Sequence, residues 1–387
     1  MTFDFDLRIQ RRGTSCSKWD KFEEDILPMW VADMDFRPPP VVVDALKGCV
    51  EHGVFGYPFM EEDVKQVVVD WMAKRHHWQI DPQSVVNVPG VVTGFNLAAH
   101  AVTEPGDGVM VQTPAYGPFL KVAKNVRLEQ HEMELTRGED GVYSVDYELF
   151  EETIKDNTRI FMLCNPQNPT GRVFRQDELE KMAEICLRHG VIICADEIHS
   201  DLVYPGHQHT SIASLNEEIA QNSITLMAAS KSFNIAGLKA SAAIIPNPEL
   251  RERYENARQG LVDWVSGIGN TAMIAAFQGG EEWLAELMDY LEANRDYLAQ
   301  FVQERLPGVE LHKPEGTFLA WLDCRSAGID GKPSDFFREK ARVEMNDGEW
   351  FGQGGKGFVR LNFGCPRSML TEALERMEQA LAAVKDH

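Results

Sequence analysis

The chain has no apolar run approaching the roughly 20 residues that a membrane-crossing helix needs, which argues against a helical span. It also lacks a basic opening segment followed by an apolar stretch: residues 1 to 6 read Met-Thr-Phe-Asp-Phe-Asp, and the expected location is the cytoplasm. Positive charge is scarce. The 38 Lys+Arg against 60 Asp+Glu give a formal net charge of −22, which repels a phosphate backbone at long range and removes nucleic acid from the expected partners. The seven cysteines are odd in number and widely spaced, with no C-x-x-C, so neither a disulfide framework nor zinc spacing is visible. They are expected to be reduced core residues, since several lie in apolar runs such as Val191-Ile192-Ile193-Cys194. No internal repeat or low-complexity segment is present.

What remains is an ordinary globular composition. Its 387 residues suit about two domains, and 44% hydrophobic with 25% charged content supports large cores. From about Ser84 to Ile245, short β-rich apolar runs alternate with helical patterns, which predicts βα units around a mainly parallel sheet. The clearest unit has a strand at Arg159–Cys164, a loop rich in proline and asparagine, a helix from Asp177 to His189 and a second strand at Val191–Ala195. A long amphipathic stretch from Glu281 to Arg305 reads as a connecting helix into a small α+β domain. That domain has strands expected at Thr317–Leu322 and Phe358–Phe363 and a closing helix with Leu370, Leu374, Met377, Leu381 and Val384 on one face. The expected division is an arm over residues 1–45, a large domain over 46–285 and a small domain over 286–387.

In open parallel sheets, ligands bind beyond the carboxyl ends of the strands, and several unusual segments fall there. Lys231, in Ser230-Lys231-Ser232-Phe233-Asn234, follows an apolar run and sits among small residues, so it reads as a reactive amine. Asp196, in Ala195-Asp196-Glu197-Ile198-His199, could face a cationic ring nitrogen or merely cap a helix. Asn168, in Asn165-Pro166-Gln167-Asn168-Pro169-Thr170-Gly171, has a stiff backbone that could aim its amide at a ring hydroxyl, although the run is also a turn signal. Pro89-Gly90-Val91-Val92-Thr93-Gly94 opens a helix after the strand Val85–Val88, a suitable phosphate site. Tyr116, in a proline-flanked loop, could stack on a ring. Arg360, a cation between Val359 and Leu361, calls for an anionic partner, either a substrate carboxylate or a structural one. Together these supply what pyridoxal phosphate requires: a Schiff-base lysine, an acid for the pyridine nitrogen, a ring-oxygen donor, a stacking aromatic and a phosphate cradle.

Two other features are set aside. Gly352-Gln353-Gly354-Gly355-Lys356-Gly357 matches G-x-G-x-x-G but leads into a strand rather than a helix, so it reads as a glycine-rich loop. His76-His77 and His207-Gln208-His209 lack metal-ligand spacing and are expected at the surface, and no metal is expected.

The wording and order of N-P-Q-N-P-T-G, A-D-E-I-H, S-K-S-F-N-I-A-G-L and V-R-L-N-F-G-C-P resemble fold-type I pyridoxal phosphate enzymes of the class I/II aminotransferase superfamily. Leu27 to Phe36, Gly53 to Tyr57 and Asp196 to Asp201 are similar to the cystalysin and cystathionine β-lyase subgroup. The resemblance implies that Lys231 forms the Schiff base, Asp196 pairs with the pyridine nitrogen, Asn168 touches the ring oxygen and Tyr116 stacks. It further implies that Ser230 with the backbone of Val92 and Thr93 binds the phosphate, that His199 adjoins the cofactor, and that Arg360, Val31 and Ala32 meet the substrate. Tyr57 would reach the phosphate in the neighbouring subunit of a homodimer with shared sites. Lys239 stands where the wider superfamily has an arginine, and a point charge replaces a bidentate fork there. His199 stands where aminotransferases commonly have a tyrosine. The implied activity is β-elimination of a sulfur amino acid to pyruvate, ammonia and a thiol. An aminotransferase, or a cofactor-binding regulatory protein acting through partners, are the alternatives.

Overall fold

The structure is a computed structural model and describes residues 3–383, so Val384 of the expected closing helix lies outside the described residues. The βα alternation produces a seven-stranded sheet: β1 (Val85–Val88), β2 (Gly108–Thr113), β3 (Glu129–Glu134), β4 (Thr158–Cys164), β5 (Ile192–Asp196), β6 (Ser223–Met227) and β7 (Ser241–Ile244). Their order across the sheet is β1-β7-β6-β5-β4-β2-β3. Strands β3, β2, β4, β5 and β6 pair in parallel, and β7 runs antiparallel to both its neighbours. The middle strands read as unbroken apolar runs because both faces are covered: Phe161, Leu163, Ile193 and Ala195 are fully buried, as are Ile224 and Leu226.

Helices flank this sheet, among them α1 (Pro40–His52), α2 (Glu61–His76), α3 (Val91–Val102) and α4 (Gln176–Arg188). The last begins within one residue of its expected start, where Glu178 accepts from the Arg175 backbone N–H at 2.8 Å. A short helix α5 (Ala229–Ser232) carries Lys231, and α6 (Gly267–Gly279) precedes α7, which spans Glu281–Arg305 as expected. Leu287, Leu291 and Leu298 form its fully buried stripe. A smaller antiparallel sheet follows, with β8 (Glu310–Leu311), β9 (Leu319–Asp323), β10 (Asn346–Asp347) and β11 (Phe358–Asn362) in the order β8-β9-β11-β10, and α8 (Arg367–Ala382) closes the chain. The boundaries expected at 45/46 and 285/286 fall within α1 and α7.

The N-terminal segment packs on its own chain. Leu27 and Pro28 pair in parallel with Val343 and Glu344, and Phe5 is buried against Phe36 and Trp283. No helix among the described residues is long and apolar enough to cross a membrane. All seven cysteines are free; five are buried, but Cys16 and Cys49 are only half-buried, so the core assignment fails for those two.

Candidate active site

The carboxyl ends of β1, β2, β4, β5 and β6 converge on one cavity of about 160 Å³. Each strand delivers its loop to the same edge of the sheet because the strands are parallel. Ten of the thirteen residues singled out from the sequence line it: Ala32, Val92, Thr93, Tyr116, Asn168, Asp196, His199, Ser230, Lys231 and Lys239. Val31, Arg360 and Tyr57 do not. Arg360 nevertheless adjoins the cavity, since its Nη1 donates to Asn168 Oδ1 at 2.9 Å. Val31 stays beside it, its carbonyl accepting from Asn362 Nδ2 at 2.5 Å. Tyr57 is 89% exposed and meets Trp264 edge-on with centroids 5.7 Å apart, so this chain does not bring it to its own cavity.

Lys231 reaches the cavity because β6 ends at Met227 and α5 turns the chain back within two residues. Its Nζ donates to Ala32 O at 2.5 Å. Burial, helped by the Arg360 and Lys239 charges, pulls its pKa down to about 8, while Asp33 and Asp196 oppose that shift. Asp196 is 5% exposed, and its Oδ1 accepts from the Ile198 N–H at 3.1 Å. Burial raises its carboxyl to about 7, against the opposing pulls of that N–H and of Lys231. No cationic side chain hydrogen-bonds this carboxylate among the described residues, although the Lys231 charge acts on it from nearby.

His199 is 2% exposed, has no partner for Nδ1 and is held neutral by burial and by the nearby Lys231 and Arg360 charges. Arg360 is 3% exposed on β11, one of the two inner strands of the small sheet. Its acceptors are all neutral: Asn168 Oδ1, Trp30 O at 3.0 Å and Asn346 Oδ1 at 2.7 Å. Nε is buried without a partner, and desolvation lowers its pKa to about 10. A structural carboxylate, one of the two partners the sequence left open, is not found beside it among the described residues.

The phosphate-cradle reading of Gly90 to Thr93 finds its helix. Gly90 precedes α3 with φ +100°, a backbone region that only glycine enters freely, so the first N–H groups of a 12-residue helix face the cavity. Lys239 joins them: its Cδ lies 3.8 Å from where a Cβ on Gly90 would stand. Tyr116 is flanked edge-on by Trp350 at 5.7 Å and Phe119 at 6.5 Å. Trp350 lies just before the glycine-rich run, which does close a tight loop leading to β11.

Sequence reasoning missed some of this surface. Cys164, expected in the core, lines the cavity with its thiol 3.3 Å from Pro166 O. Of His76, His77, His207 and His209, all expected at the surface, only His77 and His207 are exposed. His76 Nε2 lies 3.1 Å from Asp201 Oδ1, and His209 Nε2 lies 3.2 Å from Glu197 Oε2, both within the interior behind the site. Asp201 also accepts from Ser232 Oγ at 2.7 Å, tying this network to the residue after Lys231. No signal in the sequence reveals that His76, from α2, lands beside the Asp196–Asp201 turn.

Comparisons with known proteins agree with this geometry. The cystathionine beta-lyase PatB of Bacillus subtilis (strain 168) is 43% identical over 98% of this chain and 100% of its own. The crystal structure of OvoB superposes with a TM-score of 0.94 at 45% identity, covering 98% of this chain and 100% of that one. Cystalysin from Treponema denticola, whose crystal structure contains pyridoxal 5'-phosphate, superposes with a TM-score of 0.95 at 34% identity, covering 99% of this chain and 100% of that one. The family model for aminotransferase class I and II matches residues 24–377, and the chain belongs to that family.

Proposed function

We propose that the protein is a pyridoxal phosphate-dependent carbon–sulfur β-lyase that converts a sulfur amino acid into pyruvate, ammonia and a thiol. The similarity to a cystathionine beta-lyase and to cystalysin supports the reading at the level of the whole chain. The residues fit the cofactor on observations of their own. Asp196 is a buried carboxylate without a cationic hydrogen-bond partner, and His199 Nδ1 and Arg360 Nε are buried and orphaned. Lys231 would hold the cofactor covalently, Asp196 would face its ring nitrogen, and Asn168 with His199 would serve the ring oxygen side. Tyr116 would cover the ring, while Ser230, Lys239 and the Val92 and Thr93 backbone would take the phosphate.

When bound, the cofactor supplies an electron sink that makes the substrate Cα–H acidic. Arg360 binds and orients: a guanidinium with neutral neighbours and an unused Nε is preorganised for an α-carboxylate. Lys231 moves the proton: with its pKa lowered to about 8, a usable fraction of Nζ is neutral near pH 7 and can accept from Cα. His199, held neutral, adds no further positive charge beside these two cations. The convergence of Lys231, Asp196 and Arg360 around one cavity is the observation that carries the proposal.

Dimerisation is part of the reading. Val54, Phe55, Tyr57 and Phe59 form an exposed apolar run, with Phe59 98% exposed, and Leu261 and Trp264 add to it. A patch of that kind suits a second copy, which would place Tyr57 of the partner subunit at the phosphate. Seven unpaired thiols suit a reducing compartment, the cytoplasm.

The deciding assay incubates the purified protein with cystathionine or cysteine and, separately, with alanine plus 2-oxoglutarate. Pyruvate with ammonia from the first supports the lyase. Glutamate without ammonia makes it an aminotransferase, and bound cofactor without turnover makes it a regulatory protein.

A further inference from the structure

The segment from Trp30 to Phe36 lies beside the cavity with its carbonyls turned to site side chains. Trp30 O accepts from Arg360 Nη2 at 3.0 Å, Ala32 O from Lys231 Nζ at 2.5 Å, and Val31 O and Asp33 O from Asn362 Nδ2 at 2.5 and 2.6 Å. Met34 O and Phe36 O accept from Asn234 Nδ2 at 2.8 and 2.7 Å. Trp30 O and Ala32 O are the two carbonyls of this segment that meet Arg360 and Lys231, and an irregular run of backbone has little rigidity of its own with which to hold them there.

Beside the bonds to Asn234, Asn362 and Gly364, a charge quartet holds the segment, with Lys18 and Asp35 buried and Arg11 and Asp33 half-buried. Arg11 grips Asp33 with both terminal nitrogens at 3.0 and 2.9 Å and reaches Asp35 Oδ1 at 2.6 Å. Lys18 Nζ donates to Asp35 Oδ2 at 2.6 Å and to Asp33 O at 3.1 Å. Lys18 is 1% exposed and Asp35 3% exposed. Two cations and two anions cancel, yet burying them costs desolvation that such pairs often fail to recover, so net stability is a poor reason for their presence. Fixing a conformation is a better one, and the conformation they fix is that of the carbonyls facing Lys231 and Arg360.

We propose that the Arg11–Lys18–Asp33–Asp35 quartet is a positioning device that sets the 30–36 segment where Ala32 O receives the free Lys231 amine and Trp30 O receives Arg360. Lys18 contacts neither of those residues and is a positioning residue for both. This rests on the reading of Lys231 and Arg360 as the working amine and carboxylate clamp.

The test uses the full-length protein freed of cofactor. Lys231 is labelled with trace acid anhydride near about pH 10, where an amine with its lowered pKa is neutral, and the labelled peptide is quantified by mass spectrometry. Lys18→Met should raise the labelling rate about tenfold, the worth of one hydrogen bond, and speed amide exchange over 30–36. The double variant Lys18→Met/Asp35→Leu removes the pair without leaving a buried charge and should do the same; it decides the matter if the single variant does not fold. Lys332→Met, which breaks an exposed pair with Asp347 and Glu349, should change neither readout. Unchanged labelling and exchange in the folded Lys18 variants overturn the proposal, as does an equal change in Lys332→Met, which marks general loosening. Loading the wild-type protein with pyridoxal phosphate should block labelling of Lys231; failure there removes the cofactor reading while the variants still judge the quartet.

Discussion

Replacing Asp196 by asparagine keeps the size of a buried side chain and removes its titration, which isolates a pH effect that the structure predicts for the cofactor-free protein. Burial lifts the carboxyl from its ordinary 3.8 to about 7 in the folded state. Between those two values the folded protein keeps the proton that the unfolded chain has lost, so the unfolded state binds fewer protons and stability falls as pH rises. The full effect of a shift of about three pH units is about 4 kcal/mol, of which about 2 kcal/mol is lost between about pH 5 and pH 7. Asp196→Asn should flatten that part of the profile. The assay is urea unfolding of the full-length cofactor-free protein at several pH values, followed by tryptophan emission and compared between the two proteins. Saturating pyridoxal phosphate should reverse the trend in wild type alone, because a ring cation beside the carboxylate favours its charged form. Parallel pH profiles for wild type and Asp196→Asn in the absence of cofactor would refute the reasoning.

Lys231→Ala should abolish turnover by removing the amine that holds the cofactor and moves the proton, while far-UV circular dichroism stays unchanged; residual activity near wild type would move the chemistry elsewhere. Arg360→Leu should raise KM for the amino acid by about a hundredfold, the loss of a charge-assisted clamp, with a smaller change in kcat, measured by steady-state kinetics. Leu287→Ala, at a fully buried position of α7, should cost about 3 kcal/mol in urea unfolding with the loaded enzyme's KM unchanged.

The elements that were legible in the sequence are those whose pattern is local. Glu281–Arg305 was bounded correctly because its apolar stripe keeps helical spacing for 25 residues and Pro307-Gly308 stops it. The strand at Val85–Val88 was also placed to the residue, while Arg159–Cys164 gained Thr158 and Val191–Ala195 slid by one, since hydrogen bonding rather than hydropathy sets a strand's end. Most of the site was legible for the same local reason: a chemistry-bearing residue directly after a buried strand falls at the binding edge of a parallel sheet. What stayed hidden depends on contacts distant in sequence. His76 and Asp201 are 125 residues apart, and the Arg360 bond to Trp30 O spans 330, so no spacing rule could place them. Lys18 and Asp35 are only 17 apart, yet nothing in their own sequence neighbourhood announces that they are buried as a pair.

The charge distribution shows how a correct global property can coexist with the opposite local one. A net charge of −22 repels a polyanion only once it approaches to within about the screening length, roughly 8 Å at physiological salt. At the cavity the balance differs: Lys231 and Lys239 line it and Arg360 adjoins it, whereas Asp196 is pushed toward its neutral form and Asp33 is paired with Arg11 and Lys18. His199 is held neutral by burial and, to a lesser extent, by the Lys231 and Arg360 charges, so the cluster is set by fixed charges rather than by a residue that titrates near pH 6.5. Such a cavity is matched to a small ligand carrying a phosphate and a carboxylate, which feels the nearby cations more strongly than the distant acidic surface. The acidic surface therefore limits the protein's partners without weakening its site, and the three cations act on a ligand only after it has come within a few ångströms.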